Sequence, residues 1–124
     1  MANKRVLNVG HCGLDHPAIT RVIQQNFSAE VAGVATAEAA LEALRAADYD
    51  VVLVNRIFDT DGGSGLELIK KIKADPELQK TPVLLVSNYA DWQAEAVKVG
   101  AAKGFGKNAL GQPSMVDALR PYLA

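Results

Sequence analysis

The segment Val51-Val52-Leu53-Val54 most constrains the fold, because it is apolar at every position. A strand with one face in solvent alternates apolar and polar residues, whereas a strand covered by helices on both faces is apolar throughout. A second apolar run, Val83-Leu84-Leu85-Val86, follows Pro82. These segments predict a parallel sheet between layers of helices.

Strand-like and helix-like segments alternate five times along the 124 residues. The strands are predicted at residues 6–9, 30–34, 51–54, 83–86 and 104–106. Apolar residues three and four positions apart, typical of amphipathic helices, follow each strand. This alternation predicts a doubly wound α/β fold with right-handed crossovers, formed by one domain that spans residues 1–124.

The ends of the last two helices are predicted from their local residues. Asp91 is a suitable first residue for the fourth helix, and Gly100 is expected to stop it. Ser114, with Asp117 three residues later, resembles a capping box at the start of the fifth helix. Pro121 is expected to end or kink that helix, because proline lacks the N–H that a helix interior needs.

The composition excludes several classes of protein. A net charge of −1 argues against a nucleic-acid partner, which needs clustered basic residues. No apolar stretch has the length needed to cross a bilayer, so we expect no membrane association. Cys12 is the only cysteine, which excludes an internal disulfide and favours a reducing, cytoplasmic location.

Polar residues follow four of the predicted strands. Ligands of parallel α/β sheets bind beyond the carboxyl ends of the strands. The candidate site therefore brings together five residues that are distant in sequence: Gly10, His11, Asn55, Ser87 and Lys107.

The order and spacing of these residues resemble the receiver domain of bacterial two-component response regulators, over nearly the whole chain. Ser87 corresponds to the small hydroxyl residue that contacts the phosphoryl group, and Lys107 follows the fifth strand as in that family. Phe105 is at the aromatic position tied to the family's switch. The run Gly65-Leu66-Glu67-Leu68-Ile69 matches the start of the third helix.

The resemblance implies a CheY-like, flavodoxin-like sheet of five parallel strands in the order 2-1-3-4-5, with five helices. It also implies a signalling domain without enzymatic activity. The expected partner is a protein, either a histidine kinase or an output protein. Tyr89 and Trp92 lie where the family often meets its partners, and with Phe105 they form the predicted switch and interaction face.

The chain departs from the family where the chemistry takes place. Asn55 replaces the aspartate that accepts the phosphoryl group, and Gly10-His11 replaces the acidic pair that helps hold Mg²⁺. Without those three carboxylates we expect no Mg²⁺ site and no other cofactor. The sequence therefore predicts an atypical receiver that is not phosphorylated at the usual place. In this interpretation the Asn55 amide bonds Lys107 or Ser87.

Lys107 needs a partner of its own, because a partly buried ammonium without an acceptor is unfavourable. We expect it to be held by the Asn55 side-chain oxygen, by Asp15 or Asp59 from the enlarged loops, or by a bound anion. Asn108 follows Lys107 where the family usually has proline, so their peptide bond is expected to be trans or the loop rebuilt.

Two alternatives remain open. Asp15, Asp59 and Asp61 are possible substitute acidic residues for a displaced phosphoryl or metal site, although loop aspartates usually serve turns. The other alternative is a small anion- or metal-binding module at the strand ends, using Lys107, Ser87 and His11.

The loop after the first strand contains residues that suit zinc or copper. They are His11, Cys12, Asp15 and His16. Their spacing is not an established zinc pattern, so no metal site is assigned to them.

Overall fold

The computed structural model describes residues 3–124. Five parallel strands form one sheet in the order β2-β1-β3-β4-β5. The strands are β1 (Lys4–Val9), β2 (Ala29–Val34), β3 (Val51–Asn55), β4 (Val83–Val86) and β5 (Ala102–Phe105). The helices are α1 (Asp15–Asn26), α2 (Ala37–Ala46), α3 (Gly65–Ala74), α4 (Ala90–Lys98) and α5 (Pro113–Leu123). The predicted flavodoxin-like fold, with its strand order and five helices, is confirmed.

Each face of the sheet contributes to a separate core. On one face, alternate strand residues pack against α2, α3 and α4, with Ile69 and Ile72 fully buried. On the other face, the intervening strand residues pack against α1 and α5, with Ile19 and Leu119 fully buried. Because side chains alternate across a strand, the four apolar residues of β3, 51–54, contribute to both cores.

The boundaries of α5 differ from the prediction. The helix begins at Pro113 with Gln112 at the N-cap, so the predicted capping box at Ser114 is wrong. Proline favours the first helical position, and this preference outweighs the weaker serine signal one residue later. The helix also continues past Pro121 to Leu123, because Leu123 belongs to the apolar stripe that faces the core.

β5 also differs from the predicted segment, and the register of its pairing with β4 shifts once. The side-chain amide of Gln93 on α4 forms hydrogen bonds with the backbone groups around this register shift. Its Nε2 donates to the carbonyls of Leu85 at 2.8 Å, Ser87 at 3.1 Å and Phe105 at 3.3 Å. Its Oε1 accepts from the N–H of Gly104 at 3.2 Å. One side chain therefore joins α4 to both strands.

Within residues 3–124, no helix is long and apolar enough to cross a bilayer.

Candidate functional site

The predicted site residues meet at the carboxyl ends of β1, β3, β4 and β5. A cavity of about 180 Å³ opens there. It is lined by Asn55, Arg56, Ile57, Val86, Ser87, Asn88, Tyr89 and Lys107. The parallel arrangement of the strands thus brings Asn55, Ser87 and Lys107 together, as the sequence predicts.

Asn55 is the last residue of β3, and only 7% of it is exposed. Its side-chain Nδ2 donates to two backbone carbonyls, of Gly10 at 3.0 Å and of Ile57 at 2.7 Å. Within residues 3–124 neither Nδ2 nor Oδ1 of Asn55 bonds Lys107 or Ser87, so the predicted hydrogen bond is wrong. Backbone carbonyls of the two neighbouring loops are fixed acceptors within reach, and they take both amide protons.

Gly10 follows β1 with a positive φ of 76°, a conformation that favours glycine. A Cβ atom at this position would lie 2.2 Å from Cδ1 of the buried Phe58. A carboxylate could be placed here only if that ring moved. Phe58 therefore occupies the space next to the turn where the family has its acidic pair.

Lys107 binds Asp15, one of the partners predicted for it. The distance from Lys107 Nζ to Asp15 Oδ2 is 2.6 Å, and the two side chains are 36% and 24% exposed. The hydrogen bond from Lys107 holds the pKa of the Asp15 carboxyl below its usual value. This ion pair connects the start of α1 to the end of β5.

The peptide bond between Lys107 and Asn108 is trans, as expected, since residues 3–124 contain no cis bond. Lys107 begins a short 3₁₀ helix, Lys107–Ala109, in place of a simple loop.

The other two acidic candidates lie away from the cavity. Asp59 and Asp61 are exposed, and neither lines the cavity. Asp61 Oδ1 accepts the N–H of Gly63 at 2.8 Å, so it stabilises a turn. Within residues 3–124, Asp15, Asp59 and Asp61 form no group of three that could hold a metal ion.

His11 follows Gly10 after β1, and it does not line the cavity. Both ring nitrogens are buried, and neither has a hydrogen-bond partner within residues 3–124. Burial lowers the pKa of His11 to about 4, the nearby backbone of Leu53 opposes this shift, and the Lys107 charge adds to it. His11 is therefore neutral at physiological pH.

The remaining residues of this loop have separate partners. His16 Nδ1 lies 2.9 Å from the Nδ2 of the buried Asn8. Cys12 Sγ accepts the N–H of Asp15 at 3.4 Å. In the described part of the chain, no group of three or more His, Cys, Asp or Glu side chains is arranged to hold a metal ion.

Ser87 and Asn88, which follow β4, line the cavity. Ser87 is buried and its Oγ accepts the N–H of Tyr89 at 3.2 Å. Asn88 Oδ1 accepts the N–H of Asn108 at 2.9 Å. These bonds connect the segment after β4 to the turn after β5.

The predicted interaction face divides into two parts. Phe105 is only 5% exposed and packs in the core beneath α5. Tyr89 and Trp92 are exposed, and the guanidinium of Arg56 lies over both rings. Arg56 is a site residue that was not predicted from the sequence. The signal was a basic residue directly after Asn55, in a chain with aromatic residues after the neighbouring strand.

The fold and the strand-end cavity define a signalling domain of the receiver class. The chain belongs to the response regulator receiver domain family, whose sequence model matches residues 15–120. The match begins at Asp15, beyond the turn that contains Gly10 and His11. None of the curated proteins matches the chain.

Solved structures with the same fold come from several bacteria. A protein from Chloroflexus aurantiacus J-10-fl, described as a response regulator, is 17% identical with a TM-score of 0.86, and 98% of each chain is covered. The chemotaxis response regulator CheY4 of Vibrio cholerae is 20% identical with a TM-score of 0.78, covering 98% of this chain and 100% of CheY4. NtrX from Brucella abortus is 20% identical with a TM-score of 0.79, and 98% of this chain matches 27% of NtrX.

Proposed function

We propose that this receiver domain signals through protein–protein contact without being phosphorylated at the strand-end site. The observation that carries the proposal is the state of Asn55, whose amide donates both protons to the backbone carbonyls of Gly10 and Ile57. An amide is a far poorer nucleophile than a carboxylate. A carboxylate at residue 55 could not form these two hydrogen bonds, because it has no proton to donate.

The metal chemistry of the family does not fit this site either. Mg²⁺ prefers carboxylate and water oxygens in octahedral order. Gly10, His11 and Asn55 supply no carboxylate, and the His11 ring is buried. Phe58 obstructs the space that a carboxylate at residue 10 would need.

A fixed conformational state follows from the way the charges are paired. Lys107 is satisfied by Asp15, a residue of this chain, rather than by a phosphoryl group. Gln93 joins α4 to β4 and β5 through four backbone contacts. We infer that the surface around α4 stays in the one conformation that its protein partner recognises. We also infer that this partner is a histidine kinase or an output protein.

A displaced acceptor has less support. Asp15 is engaged by Lys107, and its pKa is lowered by that contact. Asp59 and Asp61 are exposed and lie apart from the cavity. An anion-binding module built on Lys107, Ser87 and His11 is opposed by the same ion pair, because Asp15 already neutralises Lys107.

Intact-mass measurement after incubation with acetyl phosphate and Mg²⁺ tests the proposal. We expect no gain in mass, while a receiver domain that has the acceptor aspartate and is phosphorylated by acetyl phosphate, treated in parallel, serves as a control for the reagent. A labile, stoichiometric phosphoryl adduct that maps to Asp15, Asp59 or Asp61 would refute the proposal and establish a displaced acceptor. The variants Asp15→Asn, Asp59→Asn and Asp61→Asn would then identify the residue.

A further inference from the structure

Arg56, Ile57, Tyr89 and Trp92 form one continuous patch at the mouth of the cavity, here called the arginine–aromatic surface. The guanidinium carbon of Arg56 lies 5.4 Å from the ring centroid of Tyr89 and 5.3 Å from that of Trp92. The exposed fractions are 60% for Tyr89, 45% for Ile57 and 36% for Trp92. Grouped apolar side chains of this kind on a surface indicate a binding site more than isolated ones do.

The charge of Arg56 is not compensated by the protein. The ion pairs within residues 3–124 do not include Arg56, and its side chain makes no hydrogen bond there. Lys107 lines the same cavity, but Asp15 neutralises it. The surface therefore presents one cation without an ion-pair partner within residues 3–124, beside the exposed side chains of Ile57, Tyr89 and Trp92.

The aromatic contacts also prepare Arg56 for binding. Stacking over Tyr89 and Trp92 restricts the guanidinium, so less side-chain entropy is lost when a ligand arrives. A planar guanidinium accepts a carboxylate through two parallel N–H···O bonds. A small inorganic anion would satisfy the charge but leave Ile57 and Trp92 uncovered.

We propose that the arginine–aromatic surface docks a protein segment that presents an Asp or Glu carboxylate to Arg56. In this arrangement an apolar side chain next to the carboxylate covers Ile57 and Trp92. The proposal rests on the proposed function, since it names the partner chemistry of the same fixed-state module. Arginine and large aromatic residues dominate the binding energy of protein interfaces, which supports this choice of surface.

Selection from a random heptapeptide display library against the intact chain tests this docking site. We expect enriched peptides to carry Asp or Glu beside an apolar residue. A synthetic copy of the most enriched peptide should change the fluorescence of Trp92, the only tryptophan in the chain. Replacing the peptide's acidic residue by its amide should weaken binding at least about tenfold.

Variants of the protein define the role of the guanidinium. Arg56→Gln should weaken binding of the synthetic peptide at least about tenfold, and Arg56→Lys should fall between it and the wild type, because lysine keeps the charge without the planar fork. Arg21→Gln, at an exposed arginine on α1, is the matched control and should bind as the wild type does. Amide NMR spectra establish that each variant is folded.

Several results would overturn the docking proposal. They are an absence of enriched peptides, enriched peptides without an acidic residue, and binding that is unchanged in folded Arg56→Gln. Self-association of the chain in sedimentation, abolished by Arg56→Gln, would identify a second copy as the occupant and also refute it. A phosphoryl adduct refutes the proposed function whatever the peptides do, whereas failed peptide binding without an adduct refutes the docking site alone.

Discussion

At the scale of single residues, the central feature is an amide in a position that favours hydrogen-bond donors. Asn55 Nδ2 faces the carbonyls of Gly10 and Ile57, so the protein environment selects a donor there. Asn88, in the neighbouring loop, has the opposite role, because its Oδ1 accepts an N–H. The same residue type therefore responds differently to the same substitution at these two positions.

Asn55→Asp is expected not to restore phosphorylation and to lower the free energy of unfolding by about 2–4 kcal/mol. The carboxylate would face two carbonyl oxygens without a proton to donate. Pairing with Lys107 would offset part of this loss, but Asp15 would then lose its partner. Urea unfolding measures the stability, and intact mass after acetyl phosphate and Mg²⁺ measures the phosphorylation.

Asn88→Asp is the matched control for this substitution. It keeps an acceptor for the Asn108 N–H, so its stability should stay within about 0.5 kcal/mol of the wild type. Equal stabilities for the two variants would contradict the donor role of Asn55. Mg²⁺-dependent phosphorylation of Asn55→Asp would mean that a carboxylate outside the usual acidic pair already binds the metal.

At the scale of secondary-structure elements, α4 is held by one polar side chain as well as by packing. Gln93 donates to three carbonyls and accepts one N–H, all on β4, β5 or the segment that follows β4. The pairing of β4 with β5 is irregular at this place. The Phe105 carbonyl accepts the backbone N–H of Ser87 at 3.0 Å, and Gln93 adds side-chain hydrogen bonds around it. A side-chain amide, with two donors and an acceptor oxygen, suits such an irregularity.

Gln93→Glu should lower the free energy of unfolding by about 3 kcal/mol or more, since a carboxylate would lie against three carbonyl oxygens. Gln25→Glu, an exposed residue on α1, makes the same chemical change and should stay within about 0.5 kcal/mol of the wild type. Urea unfolding gives both values, and amide hydrogen exchange should become faster in β5. Unchanged stability and exchange in Gln93→Glu would show that packing alone positions α4.

The elements were predictable from sequence to different degrees for physical reasons. The apolar runs of β3 and β4 admit one interpretation, and the structure places both strands as predicted. The start of α5 was missed because Pro113 and Ser114 give competing signals one residue apart. The contacts of Asn55 and Gln93 could not be predicted, because their acceptors are backbone carbonyls whose directions depend on the packed fold.

At the scale of the whole molecule, both faces of the sheet are closed by apolar cores, and the polar groups gather at one edge. Most of those groups are paired, so the site contributes to stability as well as to the proposed signalling. His11 has no such pairing, since both of its ring nitrogens are buried without partners within residues 3–124. A buried imidazole of this kind couples the stability of the entire fold to pH.

The pKa of His11 is lowered to about 4 in the folded protein, from an ordinary value of 6.5. Between these values the unfolded chain binds a proton that the folded protein does not, so stability falls as pH decreases from 6.5 towards 4. Between pH 7 and pH 5 the loss due to His11 should be about 1–2 kcal/mol. The lowered pKa of Asp15 affects stability only at lower pH. Below about pH 3.8, the ordinary pKa, the unfolded chain binds a proton at Asp15 before the folded protein does, so stability falls further there.

His11→Leu is expected to remove this part of the pH dependence, because leucine fills a similar space and does not titrate. Urea unfolding of both proteins at pH 7 and pH 5 gives the test. All other residues are the same in both proteins, so the difference between the two pH dependences isolates His11. If the variant loses as much stability as the wild type on acidification, the imidazole is not held neutral by burial, and the pH dependence arises elsewhere in the fold.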